Sequence, residues 1–268
     1  MVGLSFGDSI FILDSTHKVT LVKLEDGKYF GLKSIPHRLI QRYSFGSKLN
    51  YKNDWCILLR PSPYLFCRYK RTVTATIRFK DAASICSLLD LKPGSKVLEC
   101  GTGSGRLSYA ILQSIAPNGE LKSFEINEKC AEYVLPIIES FGYSSIFSIT
   151  IRDVCLDGFL CAEYWADAIV LDLPSPCSVL ENAKQCLKNS GRIVCYVPVI
   201  GTLQDVVDGL LQLSFTDIQC FEFSNRVYNV PISKVKHPQR KQAVTSVLKL
   251  NENYVPFTSY IISAICVK

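Results

Sequence analysis

Paired cysteines and long apolar runs are both missing from this sequence, and each absence excludes a class of protein. The 12 cysteines are scattered through apolar stretches and no two stand in a CxxC pair, which argues against a zinc site and a disulfide framework. No apolar run reaches the roughly 18 to 20 residues of a helical membrane span. We therefore expect no metal, no membrane partner and reduced, buried thiols, as in a protein of the nucleus or the cytoplasm.

A secretory leader, internal repeats and an extreme charge are also missing. The first residues, MVGLSFGDSIFILD, have no basic stretch before an apolar core, so no signal peptide is predicted. The net charge of +6 permits a polyanionic partner without requiring one. A length of 268 residues suits one large α/β domain with a small appendage, or two small domains.

The pattern of apolar residues changes near residue 72. Over residues 1–72, short and often alternating segments are broken by Gly, Asp and Asn, which predicts a small β-barrel-like domain or meander. Over residues 73–268, seven apolar strands accompany helical patterns, which predicts an α/β domain with a mostly parallel, doubly wound sheet. The last two strands, DIQCFEFS and SYIISAICVK, are joined by a long basic loop, so we expect an antiparallel hairpin at the sheet edge.

The stretch VLECGTGSGRLSYAI lies between a predicted strand and a predicted helix. Its glycines, Gly101, Gly103 and Gly105, tolerate positive φ and let a ligand approach the backbone closely. The spacing differs from the dinucleotide pattern GxGxxG, and the lysine of a phosphate-binding P-loop is missing. The other interpretation is a glycine-rich turn that only packs the helix.

Acidic residues stand near the ends of the first three predicted strands of this domain. Glu99 precedes the glycines, Glu125 ends the second strand and Asp153 follows the third. A carboxylate at Glu125 can accept hydrogen bonds from both ribose hydroxyls of an adenosine cofactor, and Asp153 can reach the adenine amino group. The sequence therefore favours an adenosine-containing cofactor without phosphate at the glycine turn.

A further acidic residue, Asp172, stands in ADAIVLDLPSP at the end of the fourth strand. It follows an apolar run and precedes a rigid Pro-Ser-Pro turn. A carboxylate held there can orient an amine or accept a proton. The alternative is an aspartate that only caps the next helix.

The pattern Glu-x-Gly-x-Gly-x-Gly with a downstream acid resembles the cofactor turn of class I S-adenosylmethionine-dependent methyltransferases. Further motifs occur along the chain in the order FGSK, GTGSG, IAPNGELKSFEI, RDVCLDGF and DAIVLDLPSP. On these motifs the chain resembles, over nearly its whole length, the catalytic subunits of eukaryotic tRNA adenine-N1 methyltransferases, which modify position 58 in the T-loop. The resemblance implies a class I methyltransferase fold, Rossmann-like with a mostly parallel seven-stranded sheet, behind a small N-terminal β domain.

The resemblance also implies a cofactor, partners and residue roles. S-adenosylmethionine would be the methyl donor, tRNA the substrate, and a non-catalytic paralogue the partner in a nuclear heterotetramer with two copies of each chain. Asp172 would be catalytic, the glycine turn with Glu99 would hold the methionine end, and Glu125 the ribose. The residues assigned to the cofactor are Ile77, Glu99, Gly101, Thr102, Gly103, Ser104, Gly105, Arg106, Glu125, Asp153, Val154 and Asp172.

Several positions depart from the pattern of the family. The stretch before the core reads TVTATIRF and lacks a glutamine, and Cys177 replaces a tryptophan after the Pro-Ser-Pro turn. Cys130 replaces an arginine, Val244 a histidine, and Arg106 stands where relatives have a small residue. The cofactor turn and Asp172 are retained, so we expect these departures to affect tRNA contacts more than chemistry.

Basic residues form two groups that suit a polyanion, because phosphate contacts position a nucleic acid without reading its sequence. The first group flanks the domain junction and the second lies in the late loop. They comprise Arg68, Lys70, Arg71, Arg78 and Lys80, and Lys234, Lys236, His237, Arg240 and Lys241. Solvated loops between domains would have the same composition.

Two other functions compete with the one that the resemblance implies. A class I methyltransferase acting on protein, such as a protein isoaspartate methyltransferase, shares this kind of glycine turn, but its substrate motifs are missing. A non-catalytic, tRNA-binding paralogue would have lost the cofactor turn, whereas Glu99, the three glycines and Glu125 are intact.

Overall fold

The N-terminal part of the chain folds into an antiparallel sheet with two short helices. This computed structural model describes residues 4–31, 35–52, 54–70, 77–229, 232–237, 240–246, 249–250 and 257–268. The N-terminal elements are β1 (Ser9–Asp14), β2 (Val19–Lys23), β3 (Tyr29–Phe30), β4 (Ile35–Pro36), α1 (His37–Ile40), β5 (Lys48–Tyr51), β6 (Asp54–Leu59) and α2 (Pro63–Tyr69). Strands β2, β1, β6 and β5 form one sheet in that order, and β3 pairs with β4 in a separate hairpin.

Strand β1 is buried on both faces. Ile10 and Ile12 face the small core of the N-terminal part, whereas Phe11, on the opposite face, belongs to the core of the large sheet. Because successive side chains of a strand point to opposite faces, Phe11 can pack against the large core and attach the small sheet to it.

Helix α2 lies within residues 1–72, where the sequence predicted β structure. Pro63 occupies the first turn and the Ser62 hydroxyl accepts a hydrogen bond from the Leu65 amide at 3.3 Å, which are two common signals of a helix start. Its Phe66 ring packs edge-on against Tyr109 and Phe141, at centroid distances of 5.4 and 5.8 Å. The helix thus packs against the α/β part of the chain.

The second part is a seven-stranded sheet covered by helices on both faces, as predicted. Its remaining helices are α3 (Phe79–Leu88), α4 (Arg106–Ile115), α5 (Glu128–Ser140), α6 (Val154–Asp157), α7 (Leu180–Cys186) and α8 (Ile200–Gln212). The strands of this part are β7 (Lys96–Cys100), β8 (Glu120–Glu125), β9 (Phe147–Ile151), β10 (Ala166–Leu171), β11 (Leu187–Val197), β12 (Thr216–Phe221), β13 (Tyr228–Asn229), β14 (Ile232–His237), β15 (Arg240–Ser246), β16 (Lys249–Leu250) and β17 (Tyr260–Ile265). Strands β13 to β16 lie outside the seven-stranded sheet.

The sheet order is β12-β17-β11-β10-β7-β8-β9. The five strands from β11 to β9 run parallel, and β17 is antiparallel to both of its neighbours. The predicted antiparallel hairpin at the edge is therefore confirmed. The connection between its two strands was predicted as a loop, but it contains two antiparallel strand pairs, β13 with β16 and β14 with β15.

Two local features concern a helix start and a strand irregularity. Asn127 is the N-cap of α5, since its side chain accepts a hydrogen bond from the Lys129 amide at 3.1 Å. Gly191 lies inside β11 where the pairing with β10 changes register. A Cβ there would lie 2.9 Å from the Lys188 carbonyl oxygen, so the close backbone approach explains the glycine.

Helices α3, α4 and α5 cover one face of the sheet, and α7 and α8 cover the other. Among the residues that the structure describes, no helix is long and apolar enough to cross a membrane, and no group of His, Cys, Asp and Glu is arranged to hold a metal ion.

Candidate active site

The predicted site residues meet at the carboxyl edge of the parallel strands. Strands β10, β7, β8 and β9 are neighbours in the sheet. Each of them ends at or just before a residue or turn that was predicted to belong to the site. Asp172, the glycine turn, Glu125 and Asp153 follow one another along this edge. Ligands of open α/β sheets bind at this edge, because the loops diverge there.

The glycine turn is shaped by close backbone contacts. Gly101 has a φ of 90°, and a Cβ on it would lie 2.3 Å from the Asp172 carbonyl oxygen. At Gly105, with a φ of 72°, a Cβ would lie 2.9 Å from a methyl group of Val134 in α5. Neither end of the turn has room for a side chain. Because Gly101 has none, the ends of β7 and β10 can lie close together.

The carboxylate of Glu125 is held by three backbone amides. One oxygen accepts from Gly103 at 2.8 Å, and the other accepts from Ile126 at 3.0 Å and from Asn127 at 2.9 Å. A carboxylate has about four acceptor positions, so capacity for a ligand hydroxyl remains. These bonds fix Glu125 against the turn at the wall of the cleft.

The side chain of Glu99 does not line the cleft, and its contact with the cofactor stays a prediction. Its side chain is 0% exposed, on the face of β7 beneath α4. One carboxyl oxygen accepts from the hydroxyls of Ser108 in α4 and Ser123 in β8, both at 2.7 Å. Glu99 therefore joins the strand, the helix and the neighbouring strand below the turn.

The side chains of Thr102 and Ser104 are also buried. The Thr102 hydroxyl lies 2.6 Å from that of Ser123, extending the hydrogen-bond network of Glu99. Any contact that these two residues make with a ligand in the cleft is therefore left to their backbone.

Two carboxyl groups of the site have strongly raised pKa values. Burial, and secondarily the charge of Glu125, raises the pKa of Asp172 to about 7. Burial raises the pKa of Glu99 to about 7, although the two serine hydroxyls act in the opposite direction. The site thus collects negative charge in a desolvated place, which favours a cationic ligand.

A cleft of about 780 Å³ opens beside the turn. Half of the predicted cofactor residues line this one cavity, namely Gly101, Gly103, Glu125, Asp153, Val154 and Asp172. The Asp153 carboxylate accepts from the Cys155 amide at 2.9 Å and caps α6, while the residue still borders the cleft. The volume lies within the range of about 300 to 1,000 Å³ typical of small-molecule sites.

Ile77 and Arg106 lie on a small adjoining cavity of about 20 Å³ that also includes Gly101 and Asp172. The guanidinium of Arg106 donates to the Lys70 carbonyl oxygen at 3.0 Å, beyond the end of α2. This explains the arginine in a turn where a small residue was expected, because it fastens the segment after α2 to the start of α4.

Tyr196 and Pro198 are among the residues of the cleft that sequence reasoning missed. Both stand at the end of β11, the strand next to β10, so the strand-end rule that identified Asp172 would also have found them. Cys130 lines the cleft too, while Cys177 is exposed on the turn that follows Asp172. The side chain of Val244 and most of the altered stretch TVTATIRF lie outside the described residues.

Lys80 is not available to a phosphate, in contrast to the other basic residues at the junction for which side chains are described. Its ammonium group donates to the Asp81 carboxylate at 2.6 Å, to the Phe223 carbonyl oxygen at 2.7 Å and to the Thr258 hydroxyl at 2.6 Å. Arg68 and Arg78 are exposed, and Lys70 is half-buried. Arg71 and the side chains of the second basic group lie outside the description.

The doubly wound sheet, the glycine turn after β7 and the acidic strand ends define a class I methyltransferase. Residues 54–255, well over half of the chain, match the family described as the tRNA methyltransferase complex GCD14 subunit. The chain belongs to this family.

Curated relatives have names that agree with the family. The chain is 28% identical over 235 residues to the tRNA (adenine(58)-N(1))-methyltransferase catalytic subunit of Dictyostelium discoideum, covering 85% of this chain and 75% of that one. It spans only about 60% of the length of two other relatives with the same name.

Solved structures agree on the fold. An S-adenosylmethionine-dependent O-methyltransferase from Thermotoga maritima has a TM-score of 0.81 at 24% identity, covering 99% of this chain and 95% of that one. The tRNA (m1A58) methyltransferase from Aquifex aeolicus has a TM-score of 0.76 at 19% identity, with full coverage of both chains.

Proposed function

We propose that this chain is the catalytic subunit of a tRNA (adenine-58-N1) methyltransferase with S-adenosylmethionine as the methyl donor. Membership of the family and the names of its relatives support the reaction and the substrate. The observation that carries the proposal is the position of Asp172. This residue borders the large cleft together with the glycine turn.

The residues of the cleft fit this cofactor. When bound, S-adenosylmethionine supplies an electrophilic methyl group on a positively charged sulfur. Gly101 and Gly103 would present bare backbone to the methionine end, Glu125 would accept from the ribose, and Asp153 with Val154 would border the adenine, since all five residues line the cleft. The acidic wall suits a ligand that carries this positive charge.

Asp172 acts on the target base. The N1 atom of adenine has its own lone pair and needs no base to remove a proton before it attacks a methyl group. The methylated base is a cation, and a nearby carboxylate stabilises the positive charge that develops on it. A base inside a folded tRNA must first leave its stack to reach this position.

We further propose that the chain works with a non-catalytic paralogue, as two copies of each, and that it does so in the nucleus. The description of the family as a subunit of a tRNA methyltransferase complex supports a partner. Reduced cysteines in an apolar setting suit an intracellular compartment. We expect weak activity from the chain alone, because the partner would supply much of the tRNA surface.

The test is methyl transfer to total tRNA from labelled cofactor, with and without the paralogue, followed by mapping of the modified base. For Asp172→Asn we expect the rate constant to fall by roughly 10²- to 10⁴-fold while the cofactor still binds. Asp217→Asn changes an exposed aspartate of β12 in the same way and serves as the control. A wild-type rate in the Asp172 variant would refute its role, and methylation of protein instead of tRNA would refute the substrate.

A further inference from the structure

A second large cleft lies in the N-terminal part and has no role in the site described above. Its volume is about 730 Å³, and it runs beside β2, which pairs with β1 alone among the described strands. Residues of β2, of the β3–β4 hairpin and of β6 line it. The lining includes a buried histidine, three lysines and two exposed or half-buried aromatic rings, namely His37, Lys18, Lys23, Lys28, Tyr29 and Trp55.

His37 presents a hydrogen-bond donor that has no partner among the residues that the structure describes. Its Nδ1 accepts from the Glu25 amide at 3.0 Å, so the proton of the neutral ring is on Nε2. Burial lowers the pKa of His37, which keeps the ring neutral near pH 7. Nε2 is buried and has no hydrogen-bond partner in the part of the chain that the structure describes, and the residue as a whole is 5% exposed. A buried donor of this kind is satisfied when a ligand oxygen or nitrogen binds.

Positive charges outnumber negative ones among the exposed side chains of the cleft. The side chains of Lys18, Lys23 and Lys28 are exposed, and within the described residues none of them has an acidic partner within 4.0 Å. The Asp14 carboxylate at the same cleft is already engaged, since it accepts from the Thr16 amide at 2.9 Å and from the Lys18 amide at 3.0 Å. A ligand would therefore meet three ammonium groups and one exposed carboxylate, that of Glu25.

The aromatic rings offer flat surfaces next to these charges. Tyr29 is 63% exposed, and Trp55 borders the cleft with the ammonium of Lys48 4.6 Å from the centre of its ring. Nucleobases stack on such rings, while lysines follow the phosphates of the strand. Aromatic rings, cations and one buried donor together match a nucleotide better than an added peptide strand, which would need only the backbone edge of β2.

We propose that this cleft binds a nucleotide of single-stranded RNA, as a contact separate from the methyl-transfer site. The choice of RNA rests on the proposed function, in which tRNA is the substrate. A base would stack on Tyr29 or Trp55, one of its polar atoms would accept from Nε2 of His37, and the flanking phosphates would lie near Lys23 and Lys28.

The direct test is fluorescence of Trp55 during titration with a short unstructured RNA, oligouridylate. The chain has 2 tryptophans, so Trp165→Phe leaves Trp55 as the sole indole. We expect quenching by the RNA, and roughly tenfold weaker binding in Lys23→Glu/Lys28→Glu and in Tyr29→Ala. With the complete complex, the same variants should raise KM for tRNA and leave kcat and cofactor affinity unchanged.

The matched control is Lys92→Glu/Lys268→Glu, which changes the net charge equally at two exposed lysines of the α/β part. Equal losses in both double variants would overturn the proposal, because bulk charge would then explain the binding. Binding of uridine monophosphate or inorganic phosphate as tight as that of the RNA would also overturn it, as would quenching by an unrelated extended peptide alone. The fluorescence signal needs no methyl transfer, so it decides this proposal even if the proposed reaction fails.

Discussion

At the scale of single residues, the site depends on carboxyl groups placed where water is scarce. Burial raises the pKa of both Asp172 and Glu99 to about 7, and the charge of Glu125 opposes the ionisation of both. A cation in the cleft stabilises their ionised forms, so binding of a sulfonium is coupled to the loss of a proton. After methyl transfer the sulfur is neutral and the positive charge is on the base. The coupling to a proton therefore applies to binding of S-adenosylmethionine and not to binding of S-adenosylhomocysteine.

The first prediction concerns pH. Since the pKa of Asp172 is raised, the cofactor-free protein retains its proton up to about pH 7. Binding of S-adenosylmethionine must then expel that proton, and affinity should be about tenfold weaker at pH 6 than at pH 8. Affinity for S-adenosylhomocysteine, which lacks the positive charge, should change much less. Calorimetric titration across this range checks both values, and a flat profile for S-adenosylmethionine in the wild type would contradict the coupling.

A second prediction separates the structural role of Glu99 from cofactor contact. Glu99→Gln keeps an oxygen that can accept from Ser108 and Ser123, so the free energy of unfolding should change by less than about 1 kcal/mol. Glu99→Ala leaves both hydroxyls buried without that acceptor and should cost about 2 to 3 kcal/mol. Denaturant unfolding measures both. If the two variants were equally stable and both failed to bind cofactor, direct contact would be the better explanation.

At the scale of elements, the glycine turn contacts three secondary structures besides the strand and helix that it connects. Gly101 approaches the end of β10, Gly105 approaches α5, and the Gly103 amide is bound by Glu125 of β8. Arg106 adds the segment beyond α2 through its bond to the Lys70 carbonyl oxygen. A change in the turn therefore moves both the cofactor cradle and the strand end that carries Asp172.

The prediction at this scale is that Gly101→Ala abolishes cofactor binding. Its Cβ would lie 2.3 Å from a backbone oxygen, at a φ that disfavours alanine, and the strain should lower the free energy of unfolding by about 1 to 3 kcal/mol. Gly201→Ala is the matched control, because nothing lies within 4 Å of its Cβ and it is in helix α8. The control should be neutral or slightly more stable. Normal cofactor affinity in Gly101→Ala would show that the turn can shift.

At the scale of the whole molecule, polar contacts join segments that are far apart in the chain. Lys80, at the start of α3, bonds to Asp81, to Phe223 after β12 and to Thr258 before β17. Thr258 in turn donates to the Asp81 carboxylate at 2.7 Å. This network attaches both ends of the segment that contains β13 to β16 to one helix.

We accordingly predict that Lys80→Met destabilises the fold instead of weakening a phosphate contact. Asp81 is 0% exposed, and removal of its cation leaves a buried charge, which should cost about 3 to 5 kcal/mol. Lys92→Met, at an exposed lysine, should change stability by less than about 0.5 kcal/mol. Thermal or denaturant unfolding checks the pair. An unchanged stability in Lys80→Met, with weaker tRNA binding, would restore Lys80 to the basic surface.

The sequence by itself determined the sheet, the glycine turn and the position of Asp172. These depend on periodicity and turn residues within about ten neighbours, and such local signals fix where strands end. Parallel strands then bring their ends to one edge, so the sequence alone places Asp172, Glu125 and Asp153 together.

Only the tertiary structure decided what the remaining polar side chains do. Glu99 bonds to residues 9 and 24 positions away, Arg106 to one 36 positions away, and Lys80 to residues 143 and 178 positions away. No local pattern specifies such partners, because burial and hydrogen bonding are settled when distant elements pack. The cleft beside His37 has the same origin, since it exists only after β2, the β3–β4 hairpin and β6 come together.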